Sequence, residues 1–146
     1  MTTMNKYMAG IIAAFIATIV MSLLLMLKSA IGLMPDLDII AMLASMMGGS
    51  HVMAWIAHFM VGSIGYGIVM ALIAGTDRSK NFTLTGAMVG AIGWFMMMIA
   101  IMPMMGNGLF GLSMPSGIMI PIATLMLHLV FGVVLGKIYA KLVAAH

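Results

Sequence analysis

The stretch HVMAWIAHFMVGSIGYGIVMALIA (His51 to Ala74) contains no aspartate, glutamate, lysine or arginine. About 20 consecutive apolar residues cross a bilayer as a helix, and in hydrocarbon only a helix or a closed barrel satisfies every backbone N–H and C=O. The stretch therefore reads as a membrane span. It stops at Gly75-Thr76-Asp77-Arg78-Ser79-Lys80-Asn81, the most polar segment of the chain. Working outward, three further stretches qualify, at approximately 8–27, 83–102 and 118–140. The expected architecture is all-α: an integral membrane four-helix bundle forming a single domain over residues 1–146.

Composition agrees. Hydrophobic residues make up 64% of the 146 positions and charged residues 6%, against roughly 45–50% and about 25% in soluble domains. No polar block is large enough for a separate soluble domain. The absence of cysteine excludes disulfides, thiolate metal sites and cysteine nucleophiles. The run from Met8 to Leu27 is longer than a signal-peptide core of about 7–15 residues and is followed by Lys28 with no Ala-x-Ala site, so it is expected to be a retained span. Lys6, Arg78, Lys80, Lys137 and Lys141 fall on one side of the four spans and Lys28 on the other. By the positive-inside rule both termini are expected on the cytoplasmic side. The net charge of +3 then orients the chain and does not point to nucleic acid.

The segment between the first two spans carries its own helix signal. Asp36 and Asp38 suit a helix N-terminus, apolar residues follow, and Gly48-Gly49 stops the pattern. A short interfacial helix over approximately 36–47 is expected.

Internal similarity suggests two parallel two-helix repeats. IAHFMVGSIGYGI (Ile56 to Ile68) aligns without a gap on MLHLVFGVVLGKI (Met126 to Ile138), matching His58 with His128 and Gly62 with Gly132. AGIIAAFIATIVM and TGAMVGAIGWFMM align loosely, pairing Gly10 with Gly86. Two such units relate by an axis along the membrane normal.

His58 and His128 are the only ionisable groups deep in the spans, and an ionisable side chain at membrane depth is a functional-site hypothesis by default. Each lies seven residues from its helix start, about 10 Å deep at 1.5 Å per residue, so equal depth is expected. His58 shares a stripe with His51, Trp55, Gly62 and Gly65, and His128 with Thr124, Gly132, Leu135 and Tyr139. Thr124 and Ser63 are local hydrogen-bond candidates if the histidines are structural. Gly62, Gly90, Gly93 and Gly132 serve either close helix packing or room for the edge of a flat macrocycle.

Methionine is abundant, with 22 residues. Thioethers select Cu(I) but also fill gaps in apolar packing. Met46, Met47, His51 and Met53 form the best Cu(I) candidate, although Gly48, Gly49 and Ser50 interrupt the set. There is no glutamate, and Asp36 and Asp38 diverge on a helix, so paired-carboxylate catalysis is not expected. No phosphate-binding loop or hydrolytic triad is present. The protein is not expected to be an enzyme.

Over almost its full length the chain resembles a bacterial family of small four-span membrane proteins of unknown function. The resemblance is carried by MNKYMAGIIAAFIAT, MPDLDIIAMLASMMGGS, AWIAHFMVG and LHLVFGVVLGKIYAKL. It implies the topology and no activity. The arrangement is also similar to that of membrane cytochromes b, which place axial histidines on the second and fourth helices and haem-accommodating glycines on the first and third. His58 and His128, with Gly10 and Gly86/Gly90/Gly93, match it; one histidine pair implies at most one haem b. The leading expectation is a non-catalytic accessory subunit packing beside other membrane subunits or copies of itself. Haem b electron transfer through His58 and His128 is the alternative, and Cu(I) handling the second.

Overall fold

Short polar side chains start the helices. Asn5 accepts from the Tyr7 N–H, Asp38 from Ala41, Ser50 from Met53 and Asn81 from Leu84, each satisfying an N–H that has no partner in its own helix. The computed structural model describes residues 4–144; residues 1–3 and 145–146 of the expected domain lie outside the described residues. The helices are α1 (Lys6–Ala30), α2 (Ile39–Met46), α3 (His51–Ala74), α4 (Phe82–Met104) and α5 (Met119–Ala144). Four of them, all but α2, are long and apolar enough to cross a membrane. No strand occurs among the described residues.

The four long helices run antiparallel in sequence order and form a bundle. The end that carries the two chain termini and the α3–α4 turn is the termini end; the other is the loop end. At the termini end, the Tyr139 hydroxyl donates to the Gly75 carbonyl at 2.7 Å and Arg78 donates to the Val143 carbonyl at 3.0 Å. The basic α3–α4 turn is thereby tied to the last turns of α5.

Glycine decides where helices touch. A Cβ at Gly10 would fall on the Gly67 carbonyl of α3, and one at Gly86 on the Gly132 carbonyl of α5. Gly136 meets the Phe82 backbone in the same way, and Gly90 meets the His128 carbonyl. Thus α1 packs on α3, and α4 on α5, backbone against backbone. Ala9, Ala13, Ala14 and Ala17 continue the small-residue face of α1, and α1 also packs along α5. The fourth seam differs. The termini-end part of α3 meets α4 near the turn, whereas the loop-end segments His51–Met60 and Met97–Ile101 make little contact with each other. A two-fold relation between the hairpins would make the α3–α4 seam match the α1–α5 seam. The two are unequal.

Both helices along the open seam contain a wide π turn. In α3 it spans Val61–Gly65, and the Tyr66 N–H reaches the Val61 carbonyl five residues back; in α4 it spans Met97–Ile101, and the Met102 N–H reaches Met97. Pro103 explains the second, since it lacks an N–H and its ring crowds the carbonyl four residues earlier, that of Ile99. Gly62, Ser63 and Gly65 are weak helix formers at the first. The turn in α3 also breaks the stripe expected from helical spacing. Gly62 packs on Thr18, but Gly65 meets only the side chain of Val61 in its own helix, and Gly67 takes the contact with α1.

The connections at the loop end fold onto the bundle. The α2 helix lies against α3, with Ile40 and Ala44 packed near Ala54. It is shorter than expected because only Asp38 caps it. Asp36 instead receives the Ser116 N–H at 2.9 Å and the Ser116 hydroxyl at 2.6 Å, across 80 positions of sequence. Lys28 donates to the Leu33 and Met34 carbonyls. The two loop-end connections are thereby clamped together.

Two predictions follow from these contacts. Gly132→Leu should lower stability in detergent by about 1–3 kcal/mol or prevent folding, while Gly65→Ala, whose methyl would make only an ordinary contact with Val61, should be neutral or slightly stabilising; thermal melts of both variants check this. The hydrogen bonds from Ser116 hold the Asp36 carboxyl below the usual carboxylate range. A depressed native pKa stabilises above the unfolded value of about 3.9 and is lost as pH falls through the native one. The Ser116 amide should therefore be strongly protected at pH 6, relative to its intrinsic exchange rate at that pH, and lose that protection once Asp36 protonates, and Asp36→Ala should abolish the pH dependence of the protection.

Candidate functional site

The open seam encloses a cavity of about 470 Å³. Thr18, Met21 and Leu25 of α1 form its back wall, with Leu127, His128 and Phe131 of α5 beside them. Ala57, His58, Val61 and Gly62 line one flank and Met96, Met97, Ala100 and Ile101 the other, so both π turns border it. Ile39, Leu43 and Met46 of α2 close it toward the loop end, and Tyr66 and Gly93 lie toward the termini end. Val61 and Met96, one from each flank, are 60% and 54% exposed. The lining contains no aspartate, glutamate, lysine or arginine.

The fold brings His58 and His128 to the same cavity, and their hydrogen bonds set their tautomers. His128 Nδ1 lies 2.8 Å from the Thr124 carbonyl oxygen of its own helix. A carbonyl only accepts, so Nδ1 carries the proton and Nε2 is left as a bare acceptor. The Thr124 hydroxyl donates to the Ile120 carbonyl and accepts from the Trp94 indole at 3.1 Å. His58 Nε2 lies 3.2 Å from Ser22 Oγ. That hydroxyl donates its one proton to the Thr18 carbonyl at 2.7 Å, so Nε2 donates to it and Nδ1 is the bare nitrogen. Trp55 and Phe59 stand edge-on to the His58 ring, each at 5.7 Å between centroids.

Tyr66 is the third polar group. Its ring packs on Phe131 at 4.9 Å and its hydroxyl sits over Gly93, where a side chain would displace it. Among the described residues, Ser63 Oγ is the one fully enclosed side-chain nitrogen or oxygen without a partner. The bare nitrogens of His58 and His128 and the Tyr66 hydroxyl have no partner either, so each retains accessible surface.

The four glycines expected to serve close packing or a macrocycle edge all meet neighbouring helices. Gly62 faces Thr18, Gly93 faces Tyr66, Gly90 faces the His128 carbonyl and Gly132 faces Gly86. The Met46, Met47, His51 and Met53 set is not gathered. Met46 lines the large cavity, whereas His51 borders a separate one of about 210 Å³ with Lys28, Asp38 and Trp55. Met47 and Met53 are exposed. Thr124 serves His128 through its carbonyl, but the hydroxyl beside His58 belongs to Ser22 and not to Ser63. Ser22 and Tyr66 were not foreseen. Thr18 and Ser22, the only hydroxyl side chains within 8–27 and four residues apart on one helical face, were the available signal for the first.

The chain belongs to a family of unknown function, DUF6789, whose model matches residues 4–146. No curated protein and no solved structure matches it.

The bonding pattern makes a sharp prediction. Nitrogen-15 spectra of histidine-labelled protein at neutral pH should show opposite neutral tautomers, Nε2–H for His58 and Nδ1–H for His128. Ser22→Ala should release the first and leave the second unchanged; one shared tautomer would refute the assignment.

Proposed function

We propose that this protein is a small non-catalytic membrane component, an accessory subunit that stands beside larger membrane proteins and works by binding in the cavity between α3 and α4. The supporting observation is the contrast between seams. Three are closed by small residues and backbone contact, while the fourth is left open along half its length and holds both intramembrane histidines. Asp36, Asp38 and Asp77, the only carboxylate side chains, all lie in connections between helices, so no acid–base pair accompanies the imidazoles. The proposed setting is a bacterial inner membrane with both termini cytoplasmic. It rests on five basic residues at the termini end against Lys28 at the other.

A second reading, one haem b held by His58 and His128, draws support from His128. Its Nδ1 is anchored on a carbonyl and its Nε2 is free, the way a ligating histidine is oriented. Three features oppose it: His58 Nε2 is engaged by Ser22, the glycines are occupied by helix contacts, and Lys28 is committed to the Leu33 and Met34 carbonyls. Cu(I) handling has less support, because Met46 and His51 border different cavities.

A photo-crosslinking residue at Val61 or Met96 should give discrete protein adducts in native membranes, while one at Lys80 should not. Adducts with lipid alone at both seam positions would overturn the accessory reading. Reporter fusions after Lys80 and after Lys141 should both report the cytoplasm. The purified protein should show no Soret band; a bis-histidine haem spectrum would replace this reading with the second.

A further inference from the structure

We propose that the α3–α4 cavity binds the ring of a lipid-soluble hydroquinone, taken up from the bilayer through the open seam. This rests on reading that cavity as the working site. Four features of the site select the ligand.

First, the lining carries no formal charge. A neutral occupant is favoured, because a charged headgroup would lose its water without gaining an opposite charge. Second, the facing segments His51–Met60 and Met97–Ile101 contain no aspartate, glutamate, lysine or arginine and make little contact, so the route in lies at membrane depth and suits a molecule dissolved in lipid.

Third, the available polar atoms are of mixed type. His128 Nε2 and His58 Nδ1 are acceptors, and the Tyr66 hydroxyl can donate. A hydroquinone carries two ring hydroxyls at opposite ends, each able to donate and to accept. It can give protons to the imidazoles and accept from Tyr66. The oxidised quinone has acceptors only, and would leave the imidazole lone pairs unpaired. A sterol or fatty alcohol has a single hydroxyl with one proton, and can donate to only one of the two imidazoles. The site therefore favours the reduced ring. Fourth, Phe131 with Tyr66 packed on its ring gives a flat occupant an aromatic neighbour in the cavity.

The protein carries its own reporters. Trp55 stands edge-on to His58, and Trp94 bonds to Thr124 on the cavity wall. Full-length protein in zwitterionic lipid nanodiscs, kept anaerobic, should be titrated with decylubiquinol and with decylubiquinone while tryptophan emission is followed. Saturable binding is expected, with the quinol about tenfold tighter than the quinone, the size of one to two hydrogen bonds. Tyr66→Phe and His128→Ala should each weaken quinol binding about fivefold or more. Ala57→Leu, which puts bulk in the cavity at a helix-compatible position, should abolish binding while the melting temperature holds. Equal affinity for quinol and quinone, a linear unsaturable response, equal competition by cholesterol, or affinity unchanged in all the variants would each overturn the proposal. Failure of this titration with partner adducts still formed at Val61 and Met96 would remove the ligand and leave the accessory role, and the reverse outcome would do the opposite.

Discussion

Direct contact of one helix backbone with another is the interaction on which this bundle depends. Lipid is as apolar as the side chains, so burying leucine against leucine drives little association within the bilayer. Helices must gain by close packing, and a side chain at Gly10, Gly86 or Gly132 would remove that gain by striking a carbonyl of the neighbouring helix. The α1–α3 and α4–α5 pairs are therefore determined by glycine position. The alanine face of α1 then joins the two pairs through α5.

The same logic explains why the α3–α4 seam opens. Along its loop-end half the two helices present bulky residues to the cavity, His58 and Val61 on one and Met96, Met97 and Ile101 on the other. The π turns add an extra residue to a helical turn and rotate everything beyond them. In α3 this moves the close contact with α1 to Gly67, while His58, on the far side of the turn, faces Ser22 and the cavity. Such turns interrupt regular hydrogen bonding and recur at functional sites. Here two of them border one cavity, on the two helices that fail to close.

Much of the architecture was legible because it follows from quantities that sequence displays directly. Span length, polar breaks and the helix start at Asp38 depend on local composition. Two kinds of feature were hidden. A π turn leaves apolar periodicity nearly intact over a few residues, so the stripe through Gly65 looked continuous when it was not; Pro103 alone hinted at the turn in α4. Long-range pairing was the other. Asp36 beside Asp38 reads as part of a helix cap, and nothing local says that its carboxylate reaches Ser116. The site was half legible. His58 and His128 stood out as polar atoms at apolar depth, but Ser22 and Tyr66 matter only through what the fold brings near them.

The tautomers connect fold to chemistry. An imidazole in hydrocarbon needs a partner for its N–H, and each histidine takes the nearest one: a carbonyl of its own helix for His128, and a serine on α1 for His58. Each bond occupies one ring nitrogen and leaves the other bare. The contacts that make the histidines tolerable in the bundle thus also leave two acceptors on residues that line, with Tyr66, one uncharged cavity. A purely structural role would be complete once each N–H was satisfied, and an apolar residue would serve the packing as well. What an apolar residue cannot supply is the remaining lone pair, and both histidines line the one seam that the bundle does not close.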